Sequence, residues 1–269
     1  MDALAALRLQ IEWGADEALE EAPVDRLRAV MPPSQPSRAP REREPFPDTT
    51  PFPAPRERAG EGAPRTTPAE RALQAAASAT SLETLRAAIA AFDGCALRDT
   101  ASNLVFAEGD PASDLLLIGE APGADEDRSG TPFAGAEGAY LDRMLASIGL
   151  DRGALLLAPL IPWRPPGDRP PSPAELVLCL PFLHRLIALA GPRRLVLFGS
   201  LAARTVLGQA GSRRRTRGAW QEAAIPGMSG TLPALPTFSP AALRRNPADR
   251  RAAWADLRLL RRTLDATAG

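Results

Sequence analysis

Leu115-Leu116-Leu117-Ile118-Gly119-Glu120-Ala121-Pro122-Gly123-Ala124-Asp125-Glu126-Asp127 is the stretch on which the fold turns. Four consecutive aliphatic residues closed by a glycine are too short for a helix and read as a strand buried on both faces. Such a strand belongs in a parallel sheet with helices on either side. The loop continues through Arg128-Ser129-Gly130-Thr131-Pro132-Phe133-Ala134-Gly135 into a helical stretch, Ala136–Ile148.

The alternation then repeats. Ala154–Leu160 reads as a second strand, Pro173–Ala190 as a helix and Arg194–Phe198 as a third strand followed by a helix from Ser200. Leu232–Phe238 is the fourth strand, and a last helix runs from Pro247 to Leu264. Upstream, Ala69–Phe92 is rich in Ala and Leu without Pro or Gly, which predicts a helix of about six turns ending near Asp93-Gly94. The expected fold class is α/β, a three-layer α/β/α sandwich with a central four-stranded parallel sheet, over residues 69–268. Ligands of such sheets bind beyond the carboxyl ends of the strands, so the loops after Ile118, Leu160, Phe198 and Phe238 should converge on one site.

The remainder reads as appendage. Residues 1–30 contain a loosely amphipathic helical segment with Leu4, Leu7, Leu9, Ile11 and Trp13, interrupted near Gly14. Residues 31–68 hold many of the 29 prolines and almost no large aliphatics, so they cannot bury a core and read as a disordered linker. A plain spacer and an arm that recruits a protein partner both fit that composition.

The chain is neutral overall, with 32 basic and 32 acidic residues, which excludes a uniformly basic nucleic-acid binder. The charge is uneven, however: residues 182–269 carry fifteen Arg against four acids, marking the C-terminal third as the anion-facing side. Every basic residue is Arg, a usage that a GC-rich genome explains as readily as selection for phosphate contacts. Two cysteines, Cys95 and Cys179, cannot build a disulfide framework. No signal-like or membrane-length apolar run stands out, and a soluble, cytoplasmic, monomeric protein without membrane contact is the expectation.

Glycines in the first loop let backbone amides approach a ligand, and its carboxylates can orient water or stabilise a cation. Read on its own, the loop could equally be a polar turn with a solvated acidic run. GEAPGADEDRSGTPFAG with Leu141-Asp142-Arg143-Met144-Leu145 resembles the first signature of the family 4 uracil-DNA glycosylases. Arg164-Pro165-Pro166-Gly167-Asp168-Arg169, Cys179-Leu180-Pro181-Phe182-Leu183 and Leu197-Phe198-Gly199-Ser200-Leu201-Ala202-Ala203 resemble its later motifs in order. Pro236 to Pro247, PTFSPAALRRNP, is similar to its closing motif.

That resemblance implies an enzyme of base-excision repair that flips uracil out of DNA and hydrolyses its glycosidic bond to leave an abasic site. Phe133 takes the place of the aromatic shelf on which the base stacks. Glu120, with the amides around Ala121 and Gly123, corresponds to the loop at the base and the attacking water. Asp127 is the other carboxylate that could serve, or it caps a helix. Arg213, Arg214, Arg215 and Arg217 resemble the loop before the last strand, and with Arg164, Arg244 and Arg245 they are the candidate phosphate contacts.

Three departures qualify the resemblance. Ser239 stands where the family has His, which leaves a hydroxyl but no imidazole, and the single histidine, His184, lies mid-helix. Pro159 stands where the family has the Asn that pairs with the uracil edge, and proline offers no such contact. Of four positions that hold a 4Fe-4S cluster in many members, only Cys95 and Cys179 keep a thiol. Phe92 and Trp163 occupy the others, so no cofactor is expected and aromatic packing should replace the cluster. A weak or inactive DNA-binding homologue and a glycosylase for another deaminated base are the alternatives to uracil excision.

Overall fold

The computed structural model describes residues 66–208 and 217–268. The expected N-terminal helical segment, all but the end of the linker, and Arg213, Arg214 and Arg215 lie outside these residues.

At the start of the described chain, Thr67 caps helix α1 (Pro68–Ser78), accepting from the Glu70 amide while the Glu70 carboxylate accepts from the Thr67 amide. This reciprocal cap starts the helix at Thr67, and Pro68 opens it. The single helix expected over 69–92 is two helices, because Ser81 and Thr84 form a second capping box that starts α2 (Leu82–Ala91). The break is sealed from the opposite element: Arg185 donates through Nε and Nη2 to the Ala79 carbonyl at 2.9 and 2.6 Å.

A short helix α3 (Leu97–Thr100) precedes the sheet. Strands β1 (Glu108–Gly109), β2 (Leu115–Ile118), β3 (Leu156–Ala158), β4 (Arg194–Phe198), β5 (Gln221–Ala224) and β6 (Thr231–Thr237) pair in the order β1-β3-β2-β4-β6-β5. The inner four are parallel as the sequence predicts, while β1 and β5 add antiparallel edges that it did not reveal. Both edges are short and largely exposed, so neither carries an apolar run to betray it.

Along each inner strand alternate side chains enter opposite layers. Leu116, Ile118, Leu156, Leu195 and Leu197 face α1, α2, α6 (Pro173–Ala190) and α7 (Ser200–Val206). Leu115, Leu117, Leu157, Val196 and Phe198 face α5 (Gly135–Ser147), α8 (Pro240–Arg245) and α9 (Arg250–Ala268). Each such leucine contributes about 1.5–3 kcal/mol by leaving water. Helix α6 is the one described helix long and apolar enough to cross a bilayer; here it lies in the α/β/α core, with α1 and α2 packed against it.

Candidate active site

The loops that leave the parallel strands are tied to one another at their carboxyl ends. The Leu160 amide donates to the carbonyls of Gly119 and Glu120, both at 3.1 Å, and the Gly199 amide donates to Thr237 at 2.9 Å. Main chain thus ties these ends in two pairs, and the Glu120 side chain links the first pair to the second through the Leu201 amide.

Phe133 is the most constrained residue of this region. Its φ is 51°, a left-handed conformation that L side chains adopt only at a cost of about 1–3 kcal/mol. The backbone is held there from both sides. Its amide donates to Glu126 Oε1 at 2.6 Å, and its carbonyl accepts from Arg152 Nη1 at 2.9 Å. The ring meets Phe198 edge-on, centroids 5.8 Å apart, and lies so close to the main chain at Gly119 that a Cβ there would sit 2.9 Å from Cζ. Glycine is thus required at the strand end for the ring to lie across it.

Glu126 is the carboxylate that composition alone did not single out. Its two oxygens accept from the amides of Gly123 and Phe133, each at 2.6 Å, joining the first turn of α4 (Ala124–Ser129) to the Phe133 backbone. Burial pushes its carboxyl above the usual range, and those two amides pull in the opposite direction. The signal was present as Gly123-x-x-Glu126, a capping-box spacing with glycine at the cap.

Glu120 bridges two loops. Oε1 accepts from the Leu201 amide in the first turn of α7 at 2.8 Å, and Gly199, at φ 98°, leaves room for the carboxylate. A Cβ at Gly199 would lie 2.3 Å from Glu120 Cδ. Ala121 and Gly123 are half-buried beside it. Pro159 is half-buried at the end of β3 and lines, with Val105, Leu160 and Phe182, a cavity of about 20 Å3. Ser239 is buried; its Oγ accepts from the Ala242 amide at 3.2 Å and so caps α8.

Asp127 is placed otherwise than as a water-orienting group. It is buried, and Oδ1 accepts from the amides of Ser102 and Asn103 at 2.8 and 3.3 Å, while Asn103 Nδ2 donates to its carbonyl. The side chain pins the preceding loop to α4. Arg164 stands 3.9 Å from Asp127 Oδ2 and pairs with Asp168 at 2.7 Å.

The arginines divide in the same way. Arg244 and Arg245 are exposed on the last turn of α8, where both act against the burial that raises the Glu137 carboxyl. Arg217 is committed inward: Nη1 binds both oxygens of Asp256 at 2.9 and 2.8 Å, and its guanidinium lies 4.7 Å over the Phe238 ring. Thr237 Oγ1 donates to the same carboxylate at 2.9 Å. Burial drives the Asp256 carboxyl upward, opposed by Arg217 and Thr237, and the group anchors β6 just before Ser239. His184 sits half-buried in the middle of α6, and burial lowers its proton affinity.

The four positions that the resemblance assigns to cluster ligands, Phe92, Cys95, Trp163 and Cys179, are all buried in one apolar cluster, and Phe92 meets Phe182 edge-on at 5.3 Å. Interaction with Cys179 holds the Cys95 thiol down to about 7, while the Cys179 thiol is pushed up by Cys95 and by burial. Two thiols and two aromatic rings do not fit a four-thiolate cluster, and no group of three or more metal-binding side chains occurs among the described residues.

The loop after β2 thus offers an aromatic ring, Phe133, and an anchored carboxylate, Glu120, at the carboxyl edge of a parallel sheet. The family model for the uracil DNA glycosylase superfamily matches residues 106–258, and the chain belongs to that superfamily. It is 34% identical over 171 residues to a type-4 uracil-DNA glycosylase of Pyrobaculum aerophilum, covering 62% of this chain and 86% of that one. It is 31% identical over 189 residues to the type-4 enzyme of Sulfurisphaera tokodaii, covering 67% and 84%, and 32% identical over 153 residues to that of Thermotoga maritima, covering 56% and 77%.

Proposed function

We propose that the chain is a DNA-repair glycosylase that hydrolyses the N-glycosidic bond of uracil and leaves an abasic site. The observation that carries this reading is Phe133, held at a strained φ with its ring against Gly119 at the strand end, one residue before Glu120. Strain of that kind persists only where surrounding structure enforces it, and it gathers at ligand clamps.

In the proposed reaction the flipped base stacks on Phe133 and the sugar stands over Glu120. Oε1 of Glu120 is fixed by the Leu201 amide, so the second oxygen can be aimed at the water or at the positive charge that develops on the sugar. The Ala121 amide is the main-chain donor offered to the anionic uracil, the Gly123 amide being already taken by Glu126. The Ser239 hydroxyl accepts at α8 and retains its hydrogen for one further donation. Pro159 supplies shape without a base-edge hydrogen bond. Arg244 and Arg245 hold the backbone, assisted by Arg164 at the rim. Asp127 serves the loop architecture, not the reaction.

The enzyme is monofunctional with respect to lysine chemistry: the sequence contains no Lys for a Schiff base with the abasic sugar. With two of the four thiolates missing it is expected to work without an iron–sulfur cluster, and the purified protein should be colourless, with no thiolate-to-iron band near about 400 nm; a brown protein would refute this. Incubation with oligonucleotides bearing uracil, hypoxanthine, xanthine or thymine, followed by alkali, tests the reading. Breaks at uracil alone support it. Breaks confined to another deaminated base reassign the substrate, and none at any base with DNA affinity retained leaves a binding protein.

A further inference from the structure

Phe133 is gripped by its carbonyl as well as its amide, and the grip comes from Arg152, in the 3-10 turn Arg152–Ala154 before β3. Nη1 donates to the Phe133 carbonyl at 2.9 Å and Nη2 to the Pro132 carbonyl at 2.5 Å, so one guanidinium straddles two successive carbonyls. Glu108 Oε2 at 3.2 Å and Asp142 Oδ1 at 3.4 Å approach the same guanidinium and set its plane. Both acids are about half exposed, and solvent screens them, so they orient the fork more than they hold it. The Phe133 carbonyl itself occupies the space of an absent side chain, since a Cβ at Gly138 would lie 1.8 Å from its oxygen.

We infer that Arg152 is a positioning residue for base excision, holding the Pro132-Phe133 carbonyls so that the Phe133 ring stays flat at the strand end for the flipped base. The inference deepens the proposed function and rests on it. Two features separate the role from ordinary packing. The contacts fall on the one non-glycine residue of this loop with a left-handed backbone, and they need the parallel donors of a guanidinium. An ammonium can reach one carbonyl but cannot present two donors in that fork. Displacing a reacting group by about 1 Å costs on the order of a hundredfold in rate, which sets the scale of the effect.

The test uses the full chain as wild type, Arg152→Ala, Arg152→Lys and, as a control, Glu108→Gln, with excision kinetics on uracil DNA, thermal unfolding, and hydrogen exchange of the 131–138 segment. Arg152→Ala is expected to lower kcat about 10- to 100-fold with KM within about threefold, and to accelerate exchange at the Phe133 amide. Arg152→Lys should recover part of kcat, and Glu108→Gln, which keeps an amide oxygen beside Nη2, should lose no more than about threefold. Should Arg152→Ala not fold, Arg152→Lys carries the same comparison. A folded Arg152→Ala with wild-type kcat, or with Phe133 exchange unchanged, overturns the inference. If wild type excises no uracil, the functional reading fails by itself, and the exchange data still decide whether Arg152 holds the shelf.

Discussion

Replacing Glu126 with alanine removes both acceptors that hold the shelf loop, the bonds to the Gly123 and Phe133 amides at 2.6 Å. A hydrogen bond to an ionised group contributes about 1.5–3 kcal/mol net of desolvation. The two bonds share one carboxylate whose burial opposes its charge, so the expected loss is at the scale of one such bond, about 2–3 kcal/mol. Phe133 is then freed from one of its two anchors and relaxes from φ 51°, so excision should fall by about a hundredfold. Glu126→Gln discriminates between explanations. Its amide can accept from one N–H, but its NH2 group faces the other, so the isosteric variant should be within about 1 kcal/mol of the alanine variant. Urea unfolding with a single-turnover excision assay reads both quantities. Wild-type stability and rate in Glu126→Gln would refute the clamp.

Glu175 caps α6 and accepts from Arg169 at 2.8 and 2.5 Å; that pairing first, then the Ser172 contacts, lowers its carboxyl to about 2. A lowered folded value means stability that is present above the unfolded value of about 4.3 and lost as pH falls toward about 2; Glu175→Gln should flatten that part of the urea-midpoint profile. Cys95, although its thiol is lowered to about 7, is buried with Cys179, so a thiol-specific disulfide reagent should label neither in the native protein and both in denaturant; rapid native labelling contradicts the packing. Ser239→His restores a second donor class beside the leaving base and should raise the excision rate by about tenfold or more, at a cost of about 1 kcal/mol for the lost α8 cap; a slower variant would show that the hydroxyl is the better partner in this pocket.

The parallel core was legible because its strands are uninterrupted aliphatic runs between glycines, and α6 because Ser172-Pro173 with Glu175 is a complete start signal. The break between α1 and α2 was hidden by alanine, whose helix preference is uniform on both sides of Ala79, although Ser81 with Thr84 marked a start. Edge strands β1 and β5 escaped because two and four mostly exposed residues produce no period. The motif marked Glu120 and Phe133 as candidates, and the structure places both at the end of β2. Asp125, Glu126 and Asp127, by contrast, are three adjacent carboxylates whose separate tasks depend on which way each side chain leaves α4. Arg217 looked like one of a basic tract because its partner, Asp256, is 39 residues further along the chain.

The account stands on Phe133 and Glu120 acting on one base, and the direct measurement is release of free uracil from a uracil-containing oligonucleotide under single-turnover conditions, comparing wild type with Phe133→Ala and Glu120→Gln. The expected result is measurable release by wild type with an intact abasic strand, and a fall of about a hundredfold or more in each variant while DNA affinity is kept. Release by the two variants at the wild-type rate would contradict the proposed site, and no release by wild type at enzyme excess would contradict the proposed activity.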